Sequence, residues 1–347
     1  MRAIVIRYAS IGDALQASSP IAELHDAGYE VDLLTSPIGE EVLRHDPHIA
    51  RIDTGPPKIR DNDYGQYLAE TTAGYDLVAN LNYSVEGEIA LEPINRNYYL
   101  PHPVRKSIYG TMNYVERQHL LSQVPFRRNR QWFYETDDEK FDVAAAIQGC
   151  LSVGIALSGS HEFKKWRFLP DFCAELLKKY RIRLVLLGAL EAQDMLIERD
   201  ILAEIEAKIG DLDCPGFEIM SMISAPVRMS LTMACQVDVL IGPDTSLLNA
   251  AAMRPNRKII MLTHNTPTNI SRDWKNTVSI SAELPCAPCL RLRHRKGDCP
   301  QIDDKAACTS AISVARVMAE TERAIALVSA SQSARPEVQR DYLAIRP

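Results

Sequence analysis

Asp244, Thr245 and Ser246 follow the apolar run Val239-Leu240-Ile241 and a Gly242-Pro243 turn, and they precede the small residues Ala250-Ala251-Ala252. That order spells strand, tight turn and helix N-terminus. Backbone N–H groups in the first turn of a helix have no intrahelical partner and attract a phosphate. Asp244 is placed to cap the helix, and Thr245 and Ser246 add hydroxyls at its mouth. An ordinary capped turn has the same pattern, so this stretch alone does not decide between the two. A second reactive group is Asp13 in Ser10-Ile11-Gly12-Asp13, directly after the short apolar strand Arg2 to Arg7. A carboxylate at the C-terminal edge of a parallel sheet can act as a general base; it can equally open a helix. A third group is Ser158-Gly159-Ser160-His161-Glu162-Phe163-Lys164-Lys165-Trp166, where small hydroxyls lead to a lysine that can meet a phosphate. It is not a Walker A loop. Glu191, in the turn Gly188-Ala189-Leu190-Glu191, is placed either to accept hydrogen bonds from a ribose diol or to stabilise a helix start.

The fourth group consists of cysteines. Cys286-Ala287-Pro288-Cys289 is followed after nine residues by Cys299 and after eight more by Cys308. Four thiolates so spaced predict a tetrahedral structural zinc or iron site with no open position. Arg291, Arg293, His294, Arg295 and Lys296 lie between them and can face an anionic acceptor or simply solvent. Cys150, Cys173, Cys214 and Cys235 stand singly and read as core thiols.

The elements that must position these groups alternate between strand and helix. Strands are predicted at Arg2–Arg7, Tyr29–Thr35, Ile49–Ile52, Tyr75–Asn82, Val153–Ser158, Ile182–Leu187, Phe217–Met222, Val237–Ile241 and Lys258–Leu262. Helical spacing falls at Ala14–Ala27, Ile38–Leu43, Pro170–Tyr180, Met229–Ala234 and Ala311–Val328, the last expected to cross back toward the N-terminal half. Repeated strand–helix units in both halves predict an α/β protein of two parallel-sheet domains facing a cleft. The first is set at residues 1–150 on the acceptor side, with 141–150 as linker. The second is set at 151–328 on the donor side and includes the cysteine loop 285–310. Residues 329–347 are expected to be a flexible tail. Asn80, Asn82 and Tyr83 are expected to face the cleft. A polar and aromatic stretch holding His102, Arg105, Lys106, Tyr109, Asn113, Tyr114, Arg117 and His119 is expected either to bind the acceptor or to be a solvated excursion. Arg127, Arg128 and Arg130 form a basic loop.

Composition bounds the function. The chain has 347 residues, 46% hydrophobic and 24% charged, with a formal charge of -6. That profile fits a globular protein and argues against a general polyanion coat, though not against a local basic groove. No apolar stretch is long enough to span a membrane and no leader is expected before the first strand, so a cytoplasmic location is expected. No GxGxxG is present, which argues against a dinucleotide site.

Taken together, Ser10-Ile11-Gly12-Asp13, Ser160 with Lys164 and Trp166, Glu191, and Asp244-Thr245-Ser246-Leu247 resemble, in order, the motifs of the ADP-heptose family of glycosyltransferases, family 9, over roughly residues 1–325. Ser246 replaces the family's signature glycine, Asn249 stands where histidine is usual, and Arg167 replaces a proline. The resemblance implies the GT-B architecture, two Rossmann-like domains facing a cleft, here with a C-terminal four-cysteine metal-binding insertion. It implies a metal-independent, inverting transfer of a hexosyl, pentosyl or heptosyl group from a nucleotide-sugar donor. Asp13 would be the base, and Ser158, Ser160, Lys164, Glu191, Asp244, Thr245, Ser246 and Leu247 would hold the donor. The cysteine cluster resembles one in the autotransporter-modifying branch, where the metal is iron. Acceptors left open are lipopolysaccharide core, a protein hydroxyl, or DNA carrying a hydroxylated base as in phage-type hypermodification. A homo-oligomer is compatible with all of these. The contrasting reading is a non-enzymatic nucleic-acid-binding protein whose four-cysteine module and arginines are its working surface.

Overall fold

The computed structural model describes residues 1–8, 10–55, 61–82, 110–209, 218–290, 301–302 and 305–333. The chain builds two parallel sheets. In the first half, β1 (Arg2–Arg7), α1 (Ile11–Asp26), β2 (Glu30–Thr35), α2 (Pro37–Leu43), β3 (Arg51–Thr54), α3 (Asp61–Thr71) and β4 (Leu77–Asn80) give a four-stranded sheet in the order β3-β2-β1-β4. β1 lies between β2 and β4, pairing Val5 with Leu33 on one side and with Ala79 on the other. Its continuous apolar run Ala3 to Ile6 suits a strand covered on both faces.

Two helices connect the halves: α4 (Tyr114–Leu121) and α5 (Asp137–Ile147). The second half follows with β5 (Ser152–Ala156), a 3₁₀ turn (Glu162–Lys164), α6 (Leu169–Lys179), β6 (Arg183–Leu187), α7 (Ala192–Ile209), β7 (Glu218–Ser221), α8 (Val227–Gln236), β8 (Val239–Pro243), α9 (Ser246–Ala251), β9 (Arg257–Leu262) and β10 (Thr277–Ser281). Its six strands run parallel in the order β10-β9-β8-β5-β6-β7. The short pair β11 (Gln301–Ile302) and β12 (Lys305–Ala306), the single turn α10 (Ala307–Ser310) and α11 (Val314–Ser333) complete the described chain.

Several expectations are corrected. Residues 141–147, expected as linker, form the body of α5, which Thr136 and Glu139 open with a reciprocal capping box. Val143 on α5 packs with Ala234 and Val237, so α5 leans on the second half. Among the described residues the terminal helix α11 packs on the second half and not back on the first: Ala324, Ile325 and Val328 join the core of the second sheet, and Lys179 pairs with Glu322. It also continues to Ser333, past the expected end at Val328. α3 and β10 were not expected from the sequence. Cys173 and Cys235 are buried and Cys150 is half-buried, whereas Cys214 lies outside the described residues.

Candidate functional site

Asp13 sits in the first turn of α1, where the chain leaves β1. Ser10 is the N-cap residue but its hydroxyl does not cap; it donates to Asp13 Oδ2 at 2.6 Å. The other carboxylate oxygen lies 2.9 Å from Nη2 of Arg7, whose side chain is buried. Asp13 keeps 17% of its side-chain surface open to solvent, so the fixed carboxylate remains reachable. Asn82 is buried and accepts the backbone N–H of Tyr8 at 2.7 Å, while Asn80 accepts that of Asn82 at 3.0 Å. These two asparagines knit the end of β4 to the chain leaving β1. Tyr83 lies outside the described residues.

On the second sheet the loop after β5 carries Lys164 to the end of β8. Lys164 Nζ stands 3.4 Å from Oδ2 of Asp244, and the two side chains are 13% and 12% exposed. Gly159 makes this approach possible, because a Cβ there would come within 2.7 Å of the lysine stem and 3.3 Å of Thr245. Asp244 Oδ2 also accepts from Asn265 Nδ2 at 3.1 Å, and Asn265 Oδ1 accepts from the Tyr114 hydroxyl at 2.7 Å. The expected cap is therefore corrected: Thr245 holds the N-cap position of α9 without a side-chain cap bond, and Asp244 is paired with Lys164 instead. The Thr245 hydroxyl is buried and, among the described residues, has no hydrogen-bond partner. Ser246 and Leu247 open α9 and are half-buried.

Ser158, Ser160 and Glu191 differ in availability. Ser158 donates to Asp194, whose other oxygen accepts the Ala189 N–H at 2.8 Å, so Ser158 shapes the turn from β6 to α7. Ser160 is exposed and bonds with His161 Nδ1 at 2.8 Å. Glu191 is exposed in that same turn.

The two sheet edges meet at Gly12. A Cβ on Gly12 would lie 3.7 Å from Cα and 3.8 Å from N of Ser246, so the first turn of α1 rests on the first turn of α9. Asn249 then joins the halves: its Oδ1 accepts from Gln16 at 3.1 Å and its carbonyl from Gln131 at 2.7 Å. Sequence reasoning missed this pair. The available signal was the run Gln16-Ala17-Ser18-Ser19 inside an otherwise apolar helix, all of it buried.

The expected acceptor stretch is only partly described, because His102, Arg105, Lys106 and Tyr109 lie outside the described residues. Asn113, Tyr114, Arg117 and His119 are all buried. Asn113 caps α4 and donates to the carbonyls of Thr268 and Ile270, each at 3.2 Å. His119 meets Ser19 at 2.9 Å, and burial pushes its imidazole below the ordinary range. Asn113, Tyr114 and His119 are thus tied into the fold by their hydrogen bonds. In the basic loop, Arg127 and Arg130 pair with Glu23, and Arg128 is exposed.

Cys286 is exposed, Cys289 is half-buried and Cys308 is buried within α10. Cys299 lies outside the described residues, as do Arg291, Arg293, His294, Arg295 and Lys296. Cysteine thiolates are soft donors of the kind that hold zinc or iron.

No protein-family model matches the chain, and no curated protein matches it in sequence. Solved structures do. Escherichia coli ADP-heptose lipopolysaccharide heptosyltransferase II aligns over 96% of this chain and 100% of its own, with a TM-score of 0.64 at 14% identity. A family 9 glycosyl transferase from Veillonella parvula aligns over 93% and 96%, with a TM-score of 0.67 at 12% identity. This chain has the GT-B fold of those glycosyltransferases. The iron-containing dodecameric glycosyltransferase TibC from enterotoxigenic E. coli aligns over 96% of this chain and 80% of its own, with a TM-score of 0.60 at 14% identity. Among the described residues no helix is long and apolar enough to cross a membrane.

Proposed function

We propose that the chain is an inverting glycosyltransferase that moves a sugar from a nucleotide-sugar donor to an acceptor hydroxyl. The observation that carries this reading is the contact of Gly12 with Ser246, which sets the Asp13 turn of one sheet against the Asp244–Leu247 turn of the other. The structural neighbours named for ADP-heptose favour a nucleoside-diphosphate donor, and a heptose is the first sugar to test.

Transfer needs a base for the acceptor hydroxyl and positive groups for the departing diphosphate. Asp13, oriented by Arg7 and Ser10, is assigned as the base. Lys164 is assigned to the diphosphate, shared with Ser160, the Thr245 hydroxyl and the N–H groups opening α9 at Ser246 and Leu247. Asp244 holds Lys164 in place until an anion competes for it. Glu191 is assigned to the ribose diol, and Ser158 acts through Asp194 by fixing the turn that presents Glu191. Attack from the base side on the face opposite the leaving group inverts the anomeric centre. No metal takes part in the transfer. Residues 1–150 are assigned the acceptor side and 151–328 the donor side. Cys286, Cys289, Cys299 and Cys308 would hold one structural zinc or iron ion, whose contribution is to pin the loop 285–310.

The test incubates the protein with a panel of nucleotide sugars and lipid, protein and hydroxymethyl-DNA acceptors, with products read by mass spectrometry. Release of nucleoside diphosphate and a product heavier by one glycosyl unit is expected. A protein that neither binds nor turns over any nucleotide sugar, and keeps only salt-sensitive polyanion affinity, would overturn the assignment.

A further inference from the structure

At the opposite end of α1 from Asp13, three residues with metal-ligating side chains converge. His25 and Asp26 lie in its last turn, and His48 lies in the loop between α2 and β3. Each offers a ligand atom, and the three atoms lie within 4.8 Å of one another. The rings of His25 and His48 meet edge to face with centroids 5.2 Å apart.

The chemistry around His48 is that of a supported ligand. Its Nδ1 lies 2.8 Å from Oδ1 of Asp46, which also accepts the His48 backbone N–H at 3.0 Å. The Asp46 side chain is fully buried. A carboxylate only accepts, so the ring proton sits on Nδ1 and the lone pair is left on Nε2. A carboxylate behind the non-ligating nitrogen is the usual partner of a metal-bound histidine. Asp26 is held through Oδ2 by Arg130, which leaves Oδ1 turned toward His25, 3.6 Å away. The C-terminal end of the sixteen-residue α1 adds partial negative charge. An open depression of about 390 Å³, lined by His25, Gly28, Tyr29, Glu30, Pro47 and His48, gives access from solvent.

We propose that His25, Asp26 and His48 form a site for one divalent ion of the zinc class, with Asp46 orienting His48 from behind. Two imidazoles and a carboxylate match zinc and not magnesium or calcium, and the open depression leaves room for a water as fourth ligand. The ion would tie the end of α1 to the loop entering β3. With eleven residues of helix between Asp13 and His25, a rise of ~1.5 Å per residue puts it about 18 Å from the proposed base, independent of the transfer chemistry.

The test titrates zinc chloride into the full-length protein as purified and follows heat; cobalt(II) is added in parallel and its visible spectrum recorded. One equivalent should bind, the cobalt bands should lack thiolate charge transfer, and the thermal midpoint should rise. His25→Ala and His48→Ala should each weaken binding by about tenfold or more, and Asp46→Asn by about 10–100-fold. Cys289→Ser should leave this equivalent intact. His25 is half exposed, so His25→Ala decides the matter if the inner variants do not fold. No zinc uptake in the micromolar range, or uptake indifferent to His25→Ala, would overturn the proposal.

Discussion

Arg7 and Asp13 form an ion pair of 2.9 Å between the last residue of β1 and the first turn of α1, and Ser10 holds the second carboxylate oxygen at 2.6 Å. Both oxygens are thereby fixed before any acceptor arrives. Asp13→Asn keeps a carbonyl oxygen for Arg7 but cannot take a proton. Transfer should fall by about 10²–10⁴-fold, the usual contribution of a positioned base, while donor affinity and the thermal midpoint stay close to wild type. Steady-state turnover beside calorimetric nucleotide binding measures both; wild-type turnover would remove Asp13 from the role.

Lys164 should behave differently. Among the described residues its anionic partner is Asp244, at 3.4 Å, a distance at which an incoming diphosphate can compete for the ammonium. Hydrogen bonds to charged groups contribute about 1.5–3 kcal/mol, so Lys164→Ala should weaken nucleoside-diphosphate binding by about 10–150-fold and slow the chemical step with it. Isothermal titration with ADP and other nucleoside diphosphates checks the first effect. Unchanged affinity would place the phosphates elsewhere.

What the sequence reveals and what it hides follow from how each feature is encoded. β1 and β9 are unbroken apolar runs, and a strand buried on both faces leaves that signature in any context. α3 is polar along most of its length, with Asp61, Asn62, Asp63, Gln66 and Glu70, and so lacks an apolar period; β10 does alternate, as Thr, Val, Ser, Ile, Ser, but with only two apolar residues the pattern is too short to stand out. The start of α5 was legible, since Thr136-Asp137-Asp138-Glu139 spells a capping box. The periodicity of α11 marks a helix, but an apolar face does not name the surface it will cover. Asp13 and the Asp244 turn stand out because they follow strands. Gln131 does not, and Gln16 shows only as part of a polar run inside an apolar helix, because amides meeting across two halves carry no pattern that names their partner.

That amide cluster leads to a stability prediction. Asn249→Ala removes the acceptor of the buried Gln16 side-chain amide, while the Gln131 bond to the Asn249 carbonyl is kept, and an unsatisfied buried group costs about 1–3 kcal/mol. The variant should lose about that much in urea unfolding. A midpoint unaffected by Asn249→Ala would show that the contact contributes nothing to holding the halves together.

Arg228 supplies a second seam, and it is sensitive to acid. It is 2% exposed, donates to both oxygens of Glu139 and to the carbonyls of Glu41, Val42 and Tyr134. Burial raises the Glu139 carboxyl, but hydrogen bonds from Arg228 and the Thr136 end of α5, with the Arg228 charge, outweigh it and hold the group below its ordinary 4.5. A depressed carboxyl contributes stability that is fully present above the unfolded value and is lost as pH falls through the folded one. Stability should therefore decline below about pH 4.5, and Glu139→Gln should show a smaller decline between pH 6 and pH 3, followed by urea titration at each pH. Arg228→Met should cost about 3–5 kcal/mol at pH 7, since it leaves Glu139 without its partner.

The cysteine loop gives the last prediction. Cys286 and Cys289 flank a two-residue turn after β10, and Cys308 lies in α10, whose own core contribution is a single buried turn. Ala306 and Cys308 pack beside Phe163 and Trp166, so this loop abuts the segment that carries Lys164. A segment with so little apolar surface of its own needs another source of order, and in small metal sites binding energy is largely folding energy. The purified protein should carry about one zinc or iron per chain at Cys286, Cys289, Cys299 and Cys308, a soft donor set that discriminates against magnesium. Cys289→Ser should lower metal content and raise hydrogen exchange across residues 285–310. Acceptor use should suffer more than donor binding, because the assigned donor groups hang from β5, β6 and β8 and not from the loop itself. Elemental analysis with thiol titration of the native protein is the deciding measurement: four freely reactive thiols in that loop and no bound metal would sink the assignment.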